Sequence, residues 1–502
     1  MDLRREEPFG KTIRLKYSMT INYVGRLVAI AINILFTLII TRKLGIAEFS
    51  WWIILNKYMV YAVAFTSVYT MWTNRAISRG WNVSKISLKM SLILGVFAIV
   101  ISIPAVVLFN LEFGVPVEVL LSFMLLLFEE YIIRALLSIS RGYKPHYIGI
   151  YNVLLAAFKT ALAYLLIIIC QMGILGAMLS LVISKVFLLG FLFIYNRGMI
   201  LGSTYNREVV SRWLKYSWYS LSLMVVSTLH NFDVIIVRYL TGNELVIALY
   251  GAIFLLINLI GAPIQSRTAL YSKILAKQDF NIINEALWLT LLFLTPLISI
   301  VSALSKPIIA VFGVKYLMIS DLVVIFAVAV GFRVIYFVSR DTALAWERRD
   351  ENILVDFKLR ETALFDVLMV EIIQVCIYLS LITAIPLLCS DPHLIICLWG
   401  LVFLLRAIIG LVLINMVTMK KFGFLVFRRD NVVFIVRYAF IGTIIYIIGT
   451  LIPVGISERF YTMLSNLILP VASLSALYGL LVLTFDKKAR FLVRYILKKI
   501  GF

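Results

Sequence analysis

Leu15-Lys16-Tyr17-Ser18 opens a long apolar run that closes on Ile39-Ile40-Thr41-Arg42-Lys43-Leu44-Gly45. The same tetrapeptide returns at Leu214-Lys215-Tyr216-Ser217, and its run closes on Ile235-Ile236-Val237-Arg238-Tyr239-Leu240-Thr241-Gly242. Two similar openings and closings, about 200 residues apart in an apolar chain, point to a membrane protein built from two related halves.

Composition supports that reading. Of 502 residues, 62% are hydrophobic and 15% charged, far from the balance of a soluble globular chain. Runs of about 20 apolar residues recur from end to end, so no soluble domain large enough for an active site is expected. The first run is too long for a signal-peptide core and lacks a small-x-small cleavage site, so it is expected to remain. Cys170, Cys376, Cys389 and Cys397 show no metal or redox spacing and are expected to be buried and inert.

About 14 spans are expected, starting near Ser18, Trp51, Ile86, Pro116, His146, Ile174, Ser217, Leu245, Asn284, Leu317, Thr362, Asp391, Asn431 and Tyr461. The net charge of +21 is distributed by side rather than by domain. About 30 Lys and Arg fall on even-numbered loops, among them Arg4, Arg5, Arg75, Arg79, Arg348, Arg349, Lys420 and Lys421, and about four on odd ones. This bias predicts a multi-pass protein of the cytoplasmic (plasma) membrane with both termini in the cytoplasm, and it argues against nucleic acid as a partner. Trp51, Trp52, Trp72, Trp81, Trp213 and Trp218 lie near span ends and are expected in interfacial belts.

Because six spans separate the two tetrapeptides, both halves enter the bilayer from the same side. The expected fold is an all-α polytopic membrane protein: two six-helix lobes related by a pseudo-two-fold along the membrane normal, plus two C-terminal helices. The boundaries are 1–195 for the N-terminal lobe, 196–216 for a basic linker and 217–430 for the C-terminal lobe. The extra helices occupy 431–485 and a basic tail, expected to lie on the anionic inner leaflet, occupies 486–502. A second charged loop, Asp341 to Glu361, separates spans ten and eleven.

Thr41-Arg42-Lys43-Leu44-Gly45-Ile46-Ala47-Glu48-Phe49-Ser50 resembles the "R-x-L-G-x-x-E-[FY]-G" signature of polysaccharide-biosynthesis flippases. These form the Wzx-like branch of the multidrug/oligosaccharidyl-lipid/polysaccharide (MOP) exporter superfamily. Asp233-Val234-Ile235-Ile236 with Gly242 to Tyr250 is similar to that family's second-lobe opening, and Ile139 to Lys144 to its turn after span 4. Ser50 departs from the signature, where the family has Gly. The resemblance implies a flippase for a polyprenyl-(pyro)phosphate-linked oligosaccharide. It would act as a monomer among membrane lipids, by alternating access coupled to a proton or Na+, without a cofactor.

A charge near mid-bilayer costs about 2.5–3.5 kcal/mol on insertion scales, so each needs a partner or a wet cavity. Arg26, Lys57, Arg267 and Arg333 are the candidate cavity cations, since guanidinium groups bind phosphate through paired hydrogen bonds. The resemblance implies cavity-facing basic residues on the spans that carry Arg26, Lys57 and Arg267. Glu129, Glu130, Arg134, Lys159 and Asp233 are the candidate coupling groups. Glu130 and Arg134 are four apart and face each other on a helix; Lys159 is positioned to neutralise Glu129. A structural salt-bridge cluster is the plainer reading of the same residues. Arg406 and Arg437 are possible partners for Asp366 and Glu371. No catalytic constellation, metal spacing or phosphate-cradling loop is present, so an enzyme is not expected. The competing readings are a multidrug exporter of the same superfamily and, from another class, a membrane glycosyltransferase or polymerase.

Overall fold

The computed structural model describes residues 15–312, 314–352, 356, 358–426, 429–457 and 460–491. These form helices and no strand. The first seven are α1 (Leu15–Lys43), α2 (Ile46–Ala62), α3 (Ser67–Ser78), α4 (Ser84–Phe113), α5 (Val117–Tyr143), α6 (Tyr147–Ala163) and α7 (Gly173–Leu201). Then come the short α8 (Arg207–Lys215), α9 (Ser217–Leu229), α10 (Asp233–Thr241), α11 (Glu244–Ile260) and α12 (Arg267–Ala276). The remainder are α13 (Phe280–Ala303), α14 (Ser305–Phe312), α15 (Val323–Trp346), α16 (Ala363–Leu388), α17 (Pro392–Phe422), α18 (Arg429–Leu451) and α19 (Phe460–Phe485).

Eleven helical stretches among the described residues are long and apolar enough to cross a membrane. They become twelve if Leu245–Ile260 and Ala262–Ala276, bent by 45°, form one span. The chain is therefore a multi-pass membrane protein. The sequence-based count of about 14 includes two further stretches. One is interrupted by a 3₁₀ turn at Ala64–Thr66 between α2 and α3. The other is α5, long enough to span but carrying Glu118, Glu129, Glu130, Arg134 and Arg141. Two other spans are broken: Pro263 sits at the α11–α12 bend, and His230–Phe232 forms a 3₁₀ turn between α9 and α10.

Helix ends are set locally. Asn206, Asn243 and Asp391 accept backbone N–H bonds at the starts of α8, α11 and α17. Pro392 follows Asp391 in the first turn, where a missing N–H costs nothing. Glu48 of the Arg-x-Leu-Gly phrase has a similar structural task. Its carboxylate accepts Gly45 N at 3.1 Å and Ile174 N at 3.0 Å, tying the start of α2 to the start of α7. Gly173, at φ 53°, allows the chain to turn beside that carboxylate.

The chain divides into two compact units. Unit 1 comprises Met1–Thr228, Gln265–Ile283 and Asp341–Met369; unit 2 comprises Leu229–Ile264, Asn284–Arg340 and Val370–Phe502. In unit 1, Phe36, Ile40, Leu55, Phe123, Leu126 and Met178 belong to one buried cluster. In unit 2, Val246, Ile253, Phe326, Ile382, Trp399 and Phe403 do the same. Apolar burial contributes little between membrane helices, because lipid tails are as apolar as Leu; close packing and hydrogen bonds decide. α1 and α6 illustrate this. A Cβ added at Gly25 would lie 2.6 Å from Gly149 O, and one at Gly149 would lie 2.6 Å from Ile21 O. Both obstacles are backbone and cannot rotate away. On α4, Leu92, Ile93, Val96, Phe97 and Val100 are exposed apolar side chains, as a lipid-facing stripe requires.

The last two helices are anchored by one carboxylate within unit 2. Asp486 accepts from Trp288 Nε1 at 2.6 Å, Tyr438 OH at 2.8 Å and Lys488 N at 2.8 Å, joining α13, α18 and the end of α19. Arg437 stands 3.9 Å away.

Two outcomes follow from this packing. Gly149→Val should destabilise unit 1 by about 1–3 kcal/mol, the usual cost of overpacking, read as a lowered unfolding temperature of the detergent-solubilised protein. Asp486→Ala strands two buried donors, costing about 1–3 kcal/mol each. It should raise amide exchange in α18 and α19 while leaving α1 to α7 unchanged.

Candidate functional site

Each unit carries its own set of charged and aromatic side chains. In unit 1, α5 places Glu129, Glu130 and Arg134 within about one and a half turns. Glu130 accepts from Arg134 Nε at 3.3 Å, the pairing the sequence spacing predicted. Its other oxygen accepts from Lys185 Nζ of α7. Lys185 is the group that sequence reasoning missed, although its signal was present as a lone charge in the apolar run Ile174 to Ile194. Lys159 does not take the partner expected of it. Its ammonium lies 4.4 Å from the centre of the Phe36 ring, a cation–π contact. Glu129 is 3% exposed, and neither carboxylate oxygen has a hydrogen-bond partner among the described residues. Arg26 is half-buried on α1. This set holds four cations (Arg26, Arg134, Lys159, Lys185) against two carboxylates (Glu129, Glu130).

In unit 2, Asp233 opens α10 directly after the 3₁₀ turn, so the break in span 7 aims its carboxylate inward. Oδ2 accepts from Tyr378 OH at 2.6 Å, with Tyr250 OH at 3.4 Å, and Oδ1 accepts from Val234 N at 2.7 Å. Trp399 Nε1 donates to Tyr378 OH at 3.0 Å, and the Trp399 and Tyr250 rings stack at 3.9 Å. The partners of Asp233 are thus hydroxyls, contributed by α11 and α16, and they were not legible in the sequence. Arg333 Nη2 stands 3.5 Å from His230 Nε2, and its guanidinium lies 5.2 Å from the Phe403 ring. Glu371 pairs with Arg340 at 2.7 Å, whereas Arg406, considered above as its partner, lies over the Tyr378 ring at 5.0 Å. Arg406 is buried and its Nη1 has no hydrogen-bond partner among the described residues. Three cations (Arg333, Arg340, Arg406) accompany two carboxylates (Asp233, Glu371) in this set.

The side chains of Lys57, Arg238 and Arg267 lie outside the described residues, as does most of the basic tail. Other expectations are corrected. Trp72, Trp81 and Trp213 are buried in the protein rather than set in a lipid interface. Cys170 and Cys376 are exposed rather than buried. Among the described residues, no three or more His, Cys, Asp and Glu side chains are arranged to hold a metal ion.

The largest departure concerns Arg75 and Arg79, counted above among loop cations. They lie one turn apart at the end of α3, and both are buried with Asp350. Arg75 clasps Asp350 with Nε at 2.5 Å and Nη2 at 2.6 Å, a bidentate pairing, and Arg79 Nη1 approaches to 2.8 Å. Tyr271 OH accepts a further bond from Arg75 at 2.8 Å. Burial alone raises the Asp350 carboxyl, but the Arg75 and Arg79 guanidiniums outweigh it and hold the group well below its ordinary range.

No protein-family model matches the chain, and no curated protein matches it by sequence. Solved structures do match. A multidrug resistance MATE family transporter of the MOP superfamily, in its outward-facing conformation, aligns with TM-score 0.65 at 16% identity. The alignment covers 80% of this chain and 96% of that one. A MOP superfamily transporter from Pyrococcus furiosus Vc1 aligns with TM-score 0.65 at 14% identity, over 82% of this chain and 98% of that one. That protein is described as having a binding pocket of reverse polarity that suggests a different function. The Vibrio cholerae MATE transporter VcmN in its bent form aligns with TM-score 0.63 at 13% identity, over 81% and 97%. The chain therefore has the fold of the MATE transporters of the MOP superfamily. It spans nearly the whole of each and keeps a further fifth of its own length.

The depressed Asp350 has a definite pH consequence. Its contribution is complete above the carboxyl's unfolded value and is lost only as pH falls through the lower folded one. Amide protection of 341–351, corrected for intrinsic exchange, should therefore be flat from about pH 5 to 8.

Proposed function

We propose that this protein is a secondary transporter of the MOP type, working by alternating access, and that its cargo is a polyprenyl-(pyro)phosphate-linked oligosaccharide. The observation that carries the cargo assignment is the excess of cations in the charged set around Glu130 and in the one around Asp233: four against two in the first and three against two in the second. A cargo bearing concentrated negative charge suits such surroundings, and guanidinium groups bind phosphate in a forked geometry. Arg26 and Arg333, with Lys57 and Arg267, are the proposed cargo-binding cations. Glu129, Glu130 and Asp233 are the proposed coupling carboxylates for a proton or Na+, with Arg134 and Lys159 setting the field around the first two. Lobes at 1–195 and 217–430, joined by 196–216 and followed by two extra helices at 431–485, complete the proposal. Both termini and the tail at 486–502 face the cytoplasm of a plasma membrane, and the working unit is a monomer.

A second reading is cation-coupled multidrug export, and the solved neighbours support it more directly, since one of them is a multidrug resistance transporter. The polarity of the interior separates the two. A lipophilic cationic drug is repelled by surplus Arg and Lys, whereas a pyrophosphate is attracted.

Binding to the purified protein in nanodiscs tests the choice. A polyprenyl-pyrophosphate oligosaccharide should bind, and Arg26→Ala or Arg333→Ala should weaken it by about tenfold each, near the value of one charge-assisted contact. Binding of cationic dyes in its place, unaffected by either substitution, would establish the multidrug reading.

A further inference from the structure

The chain leaves unit 2 at Arg340 and returns to it at Val370; the intervening Asp341–Met369 belongs to unit 1. A charged connection of this kind is ordinarily solvated, yet here Leu344, Trp346, Glu347, Asp350 and Glu351 are docked. The last carbonyls of α15 lack intrahelical partners, and α3 and the turn after α12 supply them. Arg75 Nη1 donates to Leu344 O at 2.7 Å and Gln278 Nε2 to Trp346 O at 2.6 Å. Arg75 Nη2 and Arg79 Nη2 both donate to Glu347 O. Cations at this position also complement the negative end of the α15 dipole. Beyond the helix, Arg75 and Arg79 grip Asp350, and Trp81 Nε1 donates to Glu351 O at 2.9 Å. Lys215 pairs with Asp356 at 2.7 Å, an exposed contact of small value.

The same segment holds its own shape by separate bonds. Glu347 Oε1 accepts Arg349 N at 3.0 Å and Oε2 accepts Ala363 N at 2.7 Å, while Thr362 Oγ1 donates to Leu359 O at 2.6 Å. None of these involves α3 or α12. These bonds make the described residues of the segment a clip held independently of α3 and α12.

We propose that this clip is a releasable latch of the transport cycle, closed when Asp350 sits between Arg75 and Arg79 and opened when water hydrates all three charges. Energetics suit a switch better than a permanent weld. The Coulombic gain of a buried ion pair is largely offset by the lost hydration of its members, so the cluster adds far less to the docked state than its short contacts suggest. Removing one partner is costly because it strands a charge; opening to water strands none. The latch rests on the transport reading only in requiring a cycle, and it is independent of the cargo.

The test uses the full-length chain in proteoliposomes without any cargo, so its failure would leave the cargo assignment standing. With the four native cysteines replaced by alanine, spin labels at Lys85→Cys and Arg348→Cys report docking of the clip. A second pair at Lys85→Cys and Arg207→Cys, both off the clip, is the control. The protein with an intact latch should show two distances for the first pair. Asp350→Asn should raise the ratio of long to short by about tenfold, with the control pair unchanged. Should Asp350→Asn fail to reach the membrane, Arg79→Lys, which keeps charge but loses the fork, should shift the ratio in the same direction. A single short distance with the latch intact would overturn the proposal, because a merely structural clamp never releases. An unchanged ratio in the variant would overturn it equally.

Discussion

Lipid offers a buried charge no partner, and every other feature of this protein is arranged around that constraint. The cost of an uncompensated charge in an apolar medium is several kcal/mol, and the chain meets it in three ways. Glu130 is held by Lys185 and Arg134. Asp233 is solvated by the hydroxyls of Tyr378 and Tyr250, and Lys159 rests on an aromatic face. Glu129, buried without a hydrogen-bond partner among the described residues, is the exception. That distinguishes it from Glu130, to which it is adjacent in sequence and with which it shares a helix.

Apolar contact alone specifies little between membrane helices, so the positions that fix the packing are small or polar. Gly25 and Gly149 let α1 and α6 approach to backbone contact. Asp486 joins three helices through a Trp and a Tyr. Glu48 fastens one helix start to another across more than a hundred residues of chain. The last case gives the Arg-x-Leu-Gly phrase a physical meaning: its acidic residue is an architectural cap, whatever the phrase marks about ancestry.

Much of the fold was legible in advance because length and apolarity are local properties. The expected span starts fall on or within a few residues of helices, except Leu317, which lies in a 3₁₀ turn ahead of α15. Pro263 marks a bend, whereas Pro104, Pro296 and Pro386 lie inside continuous helices. Within the sites, only the pairing within one helix, Glu130 with Arg134, could be read from spacing. Lys185, Tyr378, Tyr250 and Trp399 come from helices distant in sequence, and no periodicity relates them to the carboxylates they face. Similarly, a Trp near a span end has the same local sequence whether it meets headgroups or a neighbouring helix, so Trp72, Trp81 and Trp213 were misplaced.

Local sequence is enough to establish a multi-pass helical membrane protein with a basic balance and charges inside its spans. Hydropathy over about 20 residues and the cost of burying charge are enough for that. Which charges meet is settled by packing between distant helices. Arg75, Arg79 and Asp350 look like ordinary loop ions along the chain, since nothing local distinguishes a solvated arginine from a buried one. Folding brings an α3 terminus against a segment some 270 residues away, and that encounter alone turns three surface-like charges into a buried cluster.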